Sequence, residues 1–280
     1  MASLDDEDDR LRVLYFGDYG TGKTTSMAYM AKLGLVKWIR ADKGIRNKPL
    51  KALGIPTDRI DPIDQLDPIS MEKTIEEWRE MLDDDPAALA GIAIDTATEW
   101  VARRIEKYVD FDWQRAVTQS ERNHVELNPL ERYTTGDGRD QYKGVTQEMR
   151  RLMRSLVELP CHVAVACQMT LEVDEGSGAV KRTPAVNPAL RGDLIGYSNM
   201  VIRLQQEGSW PDGRPVVVGY PRPSAQFTGK DNFGVLPARL AVPTFDRLLA
   251  YVSGDLTKDT DPIQTEYREL LKVRKKGDAE

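Results

Sequence analysis

The 280-residue sequence predicts an α/β fold with a mostly parallel central sheet flanked by helices. Three observations predict it. Leu11 to Phe16 is a strand-like run that leads through a glycine-rich turn into a stretch of helix formers closed by Gly34. Gly91-Ile92-Ala93-Ile94-Asp95 is a short apolar strand ending in an acid, and His162 to Cys167 is a further buried strand. Helical patterns separate these strands, as strand–helix alternation requires.

The turn after the first strand carries the most chemistry. Gly17, Asp18, Tyr19, Gly20, Thr21, Gly22, Lys23, Thr24 and Thr25 fit the pattern G-x-x-x-x-G-K-[ST] in strand–loop–helix context. Glycines there let the backbone aim successive N–H groups at phosphate oxygens. Lys23 then reaches the β- and γ-phosphates, and the Thr24 hydroxyl ligates Mg²⁺. The sequence therefore predicts a nucleoside triphosphate site. Asp95, at the C-terminal end of its strand, is the matching candidate carboxylate for Mg²⁺, because ligands of open α/β sheets sit at that edge.

Composition excludes several classes. Hydrophobic residues are 40% and charged residues 30%, ordinary for a globular chain. No apolar run spans a bilayer and Met1 to Leu4 leads into acid, so the expectation is a cytoplasmic protein with no membrane partner. Cys161 and Cys167 share one apolar run and read as reduced core residues. Two histidines leave little material for a His-based metal site or a Ser-His-Asp triad, and a net charge of −6 gives no global basic field.

Taken in order, residues 1–10 read as an acidic tail, 11–253 as the core and 254–280 as a charged tail or last helix. Val36–Arg40 is a second strand, followed by a short helix over Lys48–Leu53 and a strand start at Arg59-Ile60. Ser70 is the expected cap of a helix whose apolar face is Met71, Ile75, Trp78 and Leu82. Thr96 to Val109 is helical. Residues 110–142 show no sustained periodicity and read as a long surface excursion. Val145–Glu158 is a helix with Arg150, Arg151 and Arg154 on its outer face, either solvated or contacting phosphate. Met169 to Pro188 reads as a flexible loop from its composition. Met200–Leu204 and Pro215–Gly219 are strands around a Trp210-Pro211-Asp212-Gly213 turn, and Thr244–Tyr251 is helical.

This arrangement resembles a RecA-like P-loop ATPase over residues 11–252. The resemblance rests on Gly-Lys-Thr-Thr at 22–25, the segment Trp38 to Ile55, Ala166-Cys167-Gln168, and Asn187-Pro188-Ala189-Leu190 through Leu204. Lys230-Asp231-Asn232-Phe233-Gly234 is similar to the Lys-Asn-Arg-Phe-Gly motif of RadA-type proteins. In length the chain looks most like the compact RecA-like proteins of bacteriophages, several of which are associated with single-strand annealing and recombination, and which would work in the host cytoplasm. The resemblance implies ATP and Mg²⁺ as ligands, self-association into a ring or filament, and single-stranded DNA as partner. It implies Asp42 as the acid that activates water, with Glu99 the competing candidate, and Gln168 as the sensor of the γ-phosphate. Lys230, then Arg222, are the cations it would offer to a neighbour's nucleotide, with a solvated hairpin lysine the other reading of Lys230. Lys181, Arg182 and Arg191, with Arg139 and Lys143, are the cations it leaves for DNA. Two positions depart from the pattern: Asp42 is one methylene shorter than the family's glutamate, and Asn232 replaces its arginine.

Other classes fit less well. A nucleotide-gated assembly protein that ignores DNA gains support from the acidic charge and the two departures. A small-molecule kinase lacks an Arg-rich lid bracketed by glycines, a GTPase lacks Asn-Lys-x-Asp, and a packaging or helicase motor would carry Glu where Thr96 follows Asp95.

Overall fold

The computed structural model describes residues 10–42, 45–64, 67–123, 139–173 and 178–277. Strands are β1 (Arg12–Gly17), β2 (Val36–Arg40), β3 (Ile60–Ile63), β4 (Gly91–Asp95), β5 (His162–Val173), β6 (Val180–Pro184), β7 (Met200–Ser209), β8 (Pro215–Tyr220), β9 (Lys230–Asp231) and β10 (Leu240–Ala241). Helices are α1 (Lys23–Ala28), α2 (Asn47–Ala52), α3 (Pro68–Asp84), α4 (Ala97–Asn123), α5 (Arg139–Val157), α6 (Pro188–Tyr197), α7 (Phe245–Val252) and α8 (Pro262–Gly277). The sheet runs β10-β8-β7-β1-β5-β4-β2-β3, with β6 paired to β5 and β9 to β7. From β7 to β3 every neighbour is parallel, and β8 and β10 close one edge antiparallel. This is the α/β fold with a mostly parallel, helix-flanked sheet that the sequence predicts.

Alternation along the strands sorts their side chains onto two faces. Leu14, Phe16, Ile92, Ile94, Val163 and Val165 face one core, covered by Trp78 and Leu82 of α3, Trp100 of α4 and Met149 and Leu156 of α5. Val13, Tyr15, Ala93, Ala164 and Ala166 face the other, under Met27 of α1 and Phe245 and Leu248 of α7. Each large aliphatic side chain buried this way contributes about 1.5–3 kcal/mol. The alanines of β4 and β5 are small where α1 crosses, so the short helix behind the P-loop sits close to the sheet.

Several elements differ from the sequence reading. Asp67 caps α3: its Oδ1 accepts from the Ser70 amide at 3.0 Å, and Pro68 takes the first turn, where a missing N–H costs nothing. α1 stops at Ala28 and tightens into a 3₁₀ turn over Tyr29–Lys32. The excursion expected from residue 110 is helical as far as Asn123, because Ile105, Val109, Trp113 and Val117 continue the three- and four-residue spacing of α4. Within the stretch read as a flexible loop, Met169–Val173 and Val180–Pro184 are strand. β5 runs on to Val173 and returns as β6, pairing Leu171 with Arg182 and Val173 with Val180. Of the two readings of 254–280, the last helix is the one found: α8, whose Ile263, Tyr267, Leu270 and Leu271 cover Val216, Val218 and Ala241. The first nine residues, residues 124–138 of the expected excursion, residues 174–177 and the side chain of Arg139 lie outside the described residues. Among the described residues no helix is long and apolar enough to cross a membrane.

Candidate functional site

The register of three strands builds the site. Phe16 pairs with Cys167 and Gly17 with Gln168, so the glycine-rich turn leaves β1 beside the point where β5 presents Gln168. β4 lies on the far side of β5, with Ile94 level with Val165, and ends at Asp95. β2 is next, pairing Arg40 with Asp95, and Asp42 follows directly. The segments containing Lys23, Asp95, Gln168 and Asp42 thus all emerge at the C-terminal edge of the parallel strands, where such sheets bind ligands.

The turn itself is braced. Thr21 Oγ1 donates to Asp18 O at 2.8 Å, and Gly22 enters α1 at φ 87, a left-handed conformation that favours glycine. The next residue, Lys23, is 6% exposed and reaches back under the turn. Its ammonium donates to Gly17 O at 2.8 Å, Asp18 O at 2.7 Å and Gln168 Oε1 at 3.1 Å. Burial pulls the Lys23 pKa down, and the nearby Asp95 and Asp42 carboxylates oppose that pull. Tyr19 at the tip is 86% exposed and stands at the rim of the cradle.

Thr24 Oγ1 donates to Asp95 Oδ2 at 2.8 Å, which brings the two predicted Mg²⁺ ligands together. Asp95 is 2% exposed, and burial above all pushes its pKa up to about 6, with the Thr24 bond opposing and the Asp42 carboxylate reinforcing. One hydroxyl and one carboxylate are hard oxygen donors suited to Mg²⁺, which keeps most of its shell for water and substrate phosphate. No cluster of three or more acidic, histidine or cysteine side chains that could cage a metal occurs among the described residues. Lys23, Thr24, Asp42, Asp95, Thr96 and Gln168 line a cavity of about 320 Å³.

A second cavity of about 320 Å³ adjoins the first and shares Gly20, Gly22 and Thr25 with it. Tyr29, Gln206, Trp210, Arg214 and Val217 give it a largely apolar wall. The sequence reading missed these residues. Trp210 stood in a turn motif, and nothing local says that the β7–β8 hairpin folds back beside the P-loop.

The other candidates fall elsewhere. Glu99 is half-exposed on α4 and pairs with Arg103 at 3.0 Å, outside the residues lining the cradle. Lys230 pairs with Val201 near the start of β7, level with Leu14 rather than with the P-loop. Its ammonium donates to Ile195 O at 3.0 Å, Gly196 O at 3.4 Å and Ser198 O at 2.6 Å, so it caps the end of α6 and is not a solvated hairpin lysine. Arg222 is exposed and donates to Leu236 O at 3.3 Å. Arg191 is tied to Glu172 at 2.7 Å and to the carbonyls of Pro184 and Val186, bracing the β5–β6 hairpin. Lys181 is exposed opposite Glu172, Arg182 is half-buried opposite Leu171, and Lys143 is exposed on α5. Arg150 pairs with Asp193 and Arg151 with Glu72, so that helix face is engaged with neighbouring helices. Cys161 and Cys167 are free and buried, and burial pushes both thiols up to about 12.

No match to a curated protein was found. Residues 9–233, well over half of the chain, match the family model described as the AAA domain. With the P-loop, the Thr24–Asp95 pair and the parallel sheet in place, that match has a physical basis: the chain belongs to the AAA domain family, a P-loop NTPase-type family.

Proposed function

We propose that the protein binds ATP with Mg²⁺, hydrolyses it, and uses the cycle to control self-association and binding of single-stranded DNA in recombination or annealing. The observation that carries the nucleotide half is the convergence of Lys23, Thr24, Asp95 and Gln168 on one cavity. The phosphates lie against the turn amides and Lys23, and the nucleoside half enters the adjoining apolar cavity beside Trp210. Mg²⁺, when bound by Thr24 and Asp95, neutralises charge developing on the phosphate oxygens. Asp42 orients the attacking water and accepts its proton. Its place in the cavity lining favours it over Glu99.

Gln168 supplies the coupling. Its Oε1 accepts from the Lys23 ammonium, which two backbone carbonyls also engage. A terminal phosphate competes for that ammonium and releases the amide. Because Gln168 lies on β5, whose continuation is the exposed hairpin with Lys181 and Arg182, the change passes into the hairpin without an intervening linker. Of the two cations assigned to a neighbour's nucleotide, Arg222 is the better donor, since Lys230 is committed to α6.

One observation favours a second reading, a nucleotide-gated assembly protein that does not act on DNA. Leu171, Val173 and Val180 are all exposed and share one face of the hairpin, which suits a protein partner better than a phosphate backbone. ATP hydrolysis measured with and without oligo-dT, at low and moderate salt, separates the two. Stimulation that weakens with salt supports the DNA reading. ATP turnover indifferent to the strand supports the assembly reading.

A further inference from the structure

The wall of the apolar cavity is held from the C-terminal helix. Gln206 Nε2 donates to Gly20 O at 2.8 Å, tying the β7–β8 hairpin to the P-loop. Immediately after it the ladder slips: Gln206 pairs with Val217 but Ser209 pairs with Pro215, so Glu207 and Gly208 bulge out of register. Gly208 sits at φ 71, where glycine is favoured. Past the bulge, the Trp210 amide closes the turn on Arg214 O at 2.8 Å, which sets both side chains along the cavity.

α8 grips this bulge from outside the nucleotide site. Arg274 spans it with two donors, one to Glu207 O at 2.8 Å and one to Ser209 O at 2.9 Å. The Tyr267 hydroxyl, on a side chain 1% exposed, donates to Glu207 Oε2 at 2.7 Å, and Arg239 donates to the same oxygen. A Cβ on Gly208 would fall 2.2–2.5 Å from the Arg274 guanidinium, so the glycine is what lets the arginine lie flat across the bulge. A planar fork bridging two carbonyls fixes their spacing, and a lysine ammonium cannot reproduce that.

We propose that Arg274 is a positioning residue for the nucleotide site: by fixing the bulge it fixes where Gln206 and Trp210 stand against the P-loop, and so sets affinity for the nucleoside half of a nucleotide. This rests on the nucleotide reading above. The phosphate half depends on Lys23 and the braced turn, neither of which α8 contacts among the described bonds, so it is left largely unaffected.

The test is calorimetric titration of the full chain with ATP and, separately, with tripolyphosphate. Arg274→Ala is expected to weaken ATP about tenfold, the scale of losing charged hydrogen bonds, and tripolyphosphate by less than about twofold. Arg274→Lys recovers only part of the loss. Gln206→Ala weakens ATP in the same way, and the double variant is no weaker than the weaker single one, because both cut the same connection. If Arg274→Ala lacks a cooperative melting transition, Tyr267→Phe, which removes one bond and keeps the ring, replaces it and is expected to weaken ATP about two- to threefold. Additive losses, or ATP affinity within about twofold of wild type in the folded variants, overturn the inference while leaving the nucleotide reading intact. Wild-type protein that binds neither ligand overturns both.

Discussion

Where the parallel pairing of β1, β4 and β5 ends, Lys23 bonds to Gln168 across 145 residues of sequence, and Thr24 bonds to Asp95 across 71. The cations assigned to partners share no such centre. Lys181 and Arg182 ride an exposed hairpin, Arg191 braces that hairpin from α6, and Lys230 caps the far end of the same helix. The two regions differ in what fixes a side chain's role. In the cradle the backbone does: strand order and the glycine-rich turn force the groups to one edge whatever surrounds them. For a long cation, the nearest unsatisfied carbonyl or carboxylate decides, and that neighbour is set by tertiary structure.

The sharpest way to break this contrast is at Lys23. Lys23→Ala is expected to reduce hydrolysis to background and ATP affinity by about a hundredfold or more, read by phosphate release and titration. Next comes the choice of acid. Asp42→Ala should lower kcat by about 10²–10⁴ with ATP affinity little changed, the range for losing a general base. Glu99→Ala should leave kcat within about twofold, since an exposed i, i+4 pair with Arg103 contributes little. The reverse outcome moves the role to Glu99.

Lys230 sharpens the other side of the comparison. Lys230→Ala should cost about 1–2 kcal/mol of stability by uncapping carbonyls at the end of α6, with turnover per folded molecule unchanged. Lost turnover at unchanged stability would instead give it the cross-subunit role. The smallest effect is expected at Arg182. Arg182→Ala should reduce the salt dependence of oligo-dT stimulation by a slope of about 1 and leave DNA-free hydrolysis alone.

The same contrast explains what was legible in the sequence. The P-loop, the strand ending in Asp95 and the apolar run His162–Cys167 that delivers Gln168 were readable because each is a local pattern whose geometry follows from spacing. Asp67 was harder: Ser70 is an equally good cap residue, and only the position of Pro68 decides between them. The β5–β6 hairpin was hidden because the alternation from Thr170 to Val173 and from Val180 to Thr183 is only four residues long on each side and is split by a stretch containing Gly176 and Gly178, whose composition reads as a loop. Trp210 and Arg274 could not be found locally at all. Their roles come from a bulge that meets the P-loop on one side and a helix more than sixty residues further along on the other.

The most direct measurement is steady-state phosphate release from ATP with Mg²⁺, comparing the wild-type chain with Lys23→Ala. The structure predicts measurable turnover by the wild type that disappears in the variant at equal thermal stability. Equal rates in the two proteins would contradict the assignment of the cradle as a working nucleotide site.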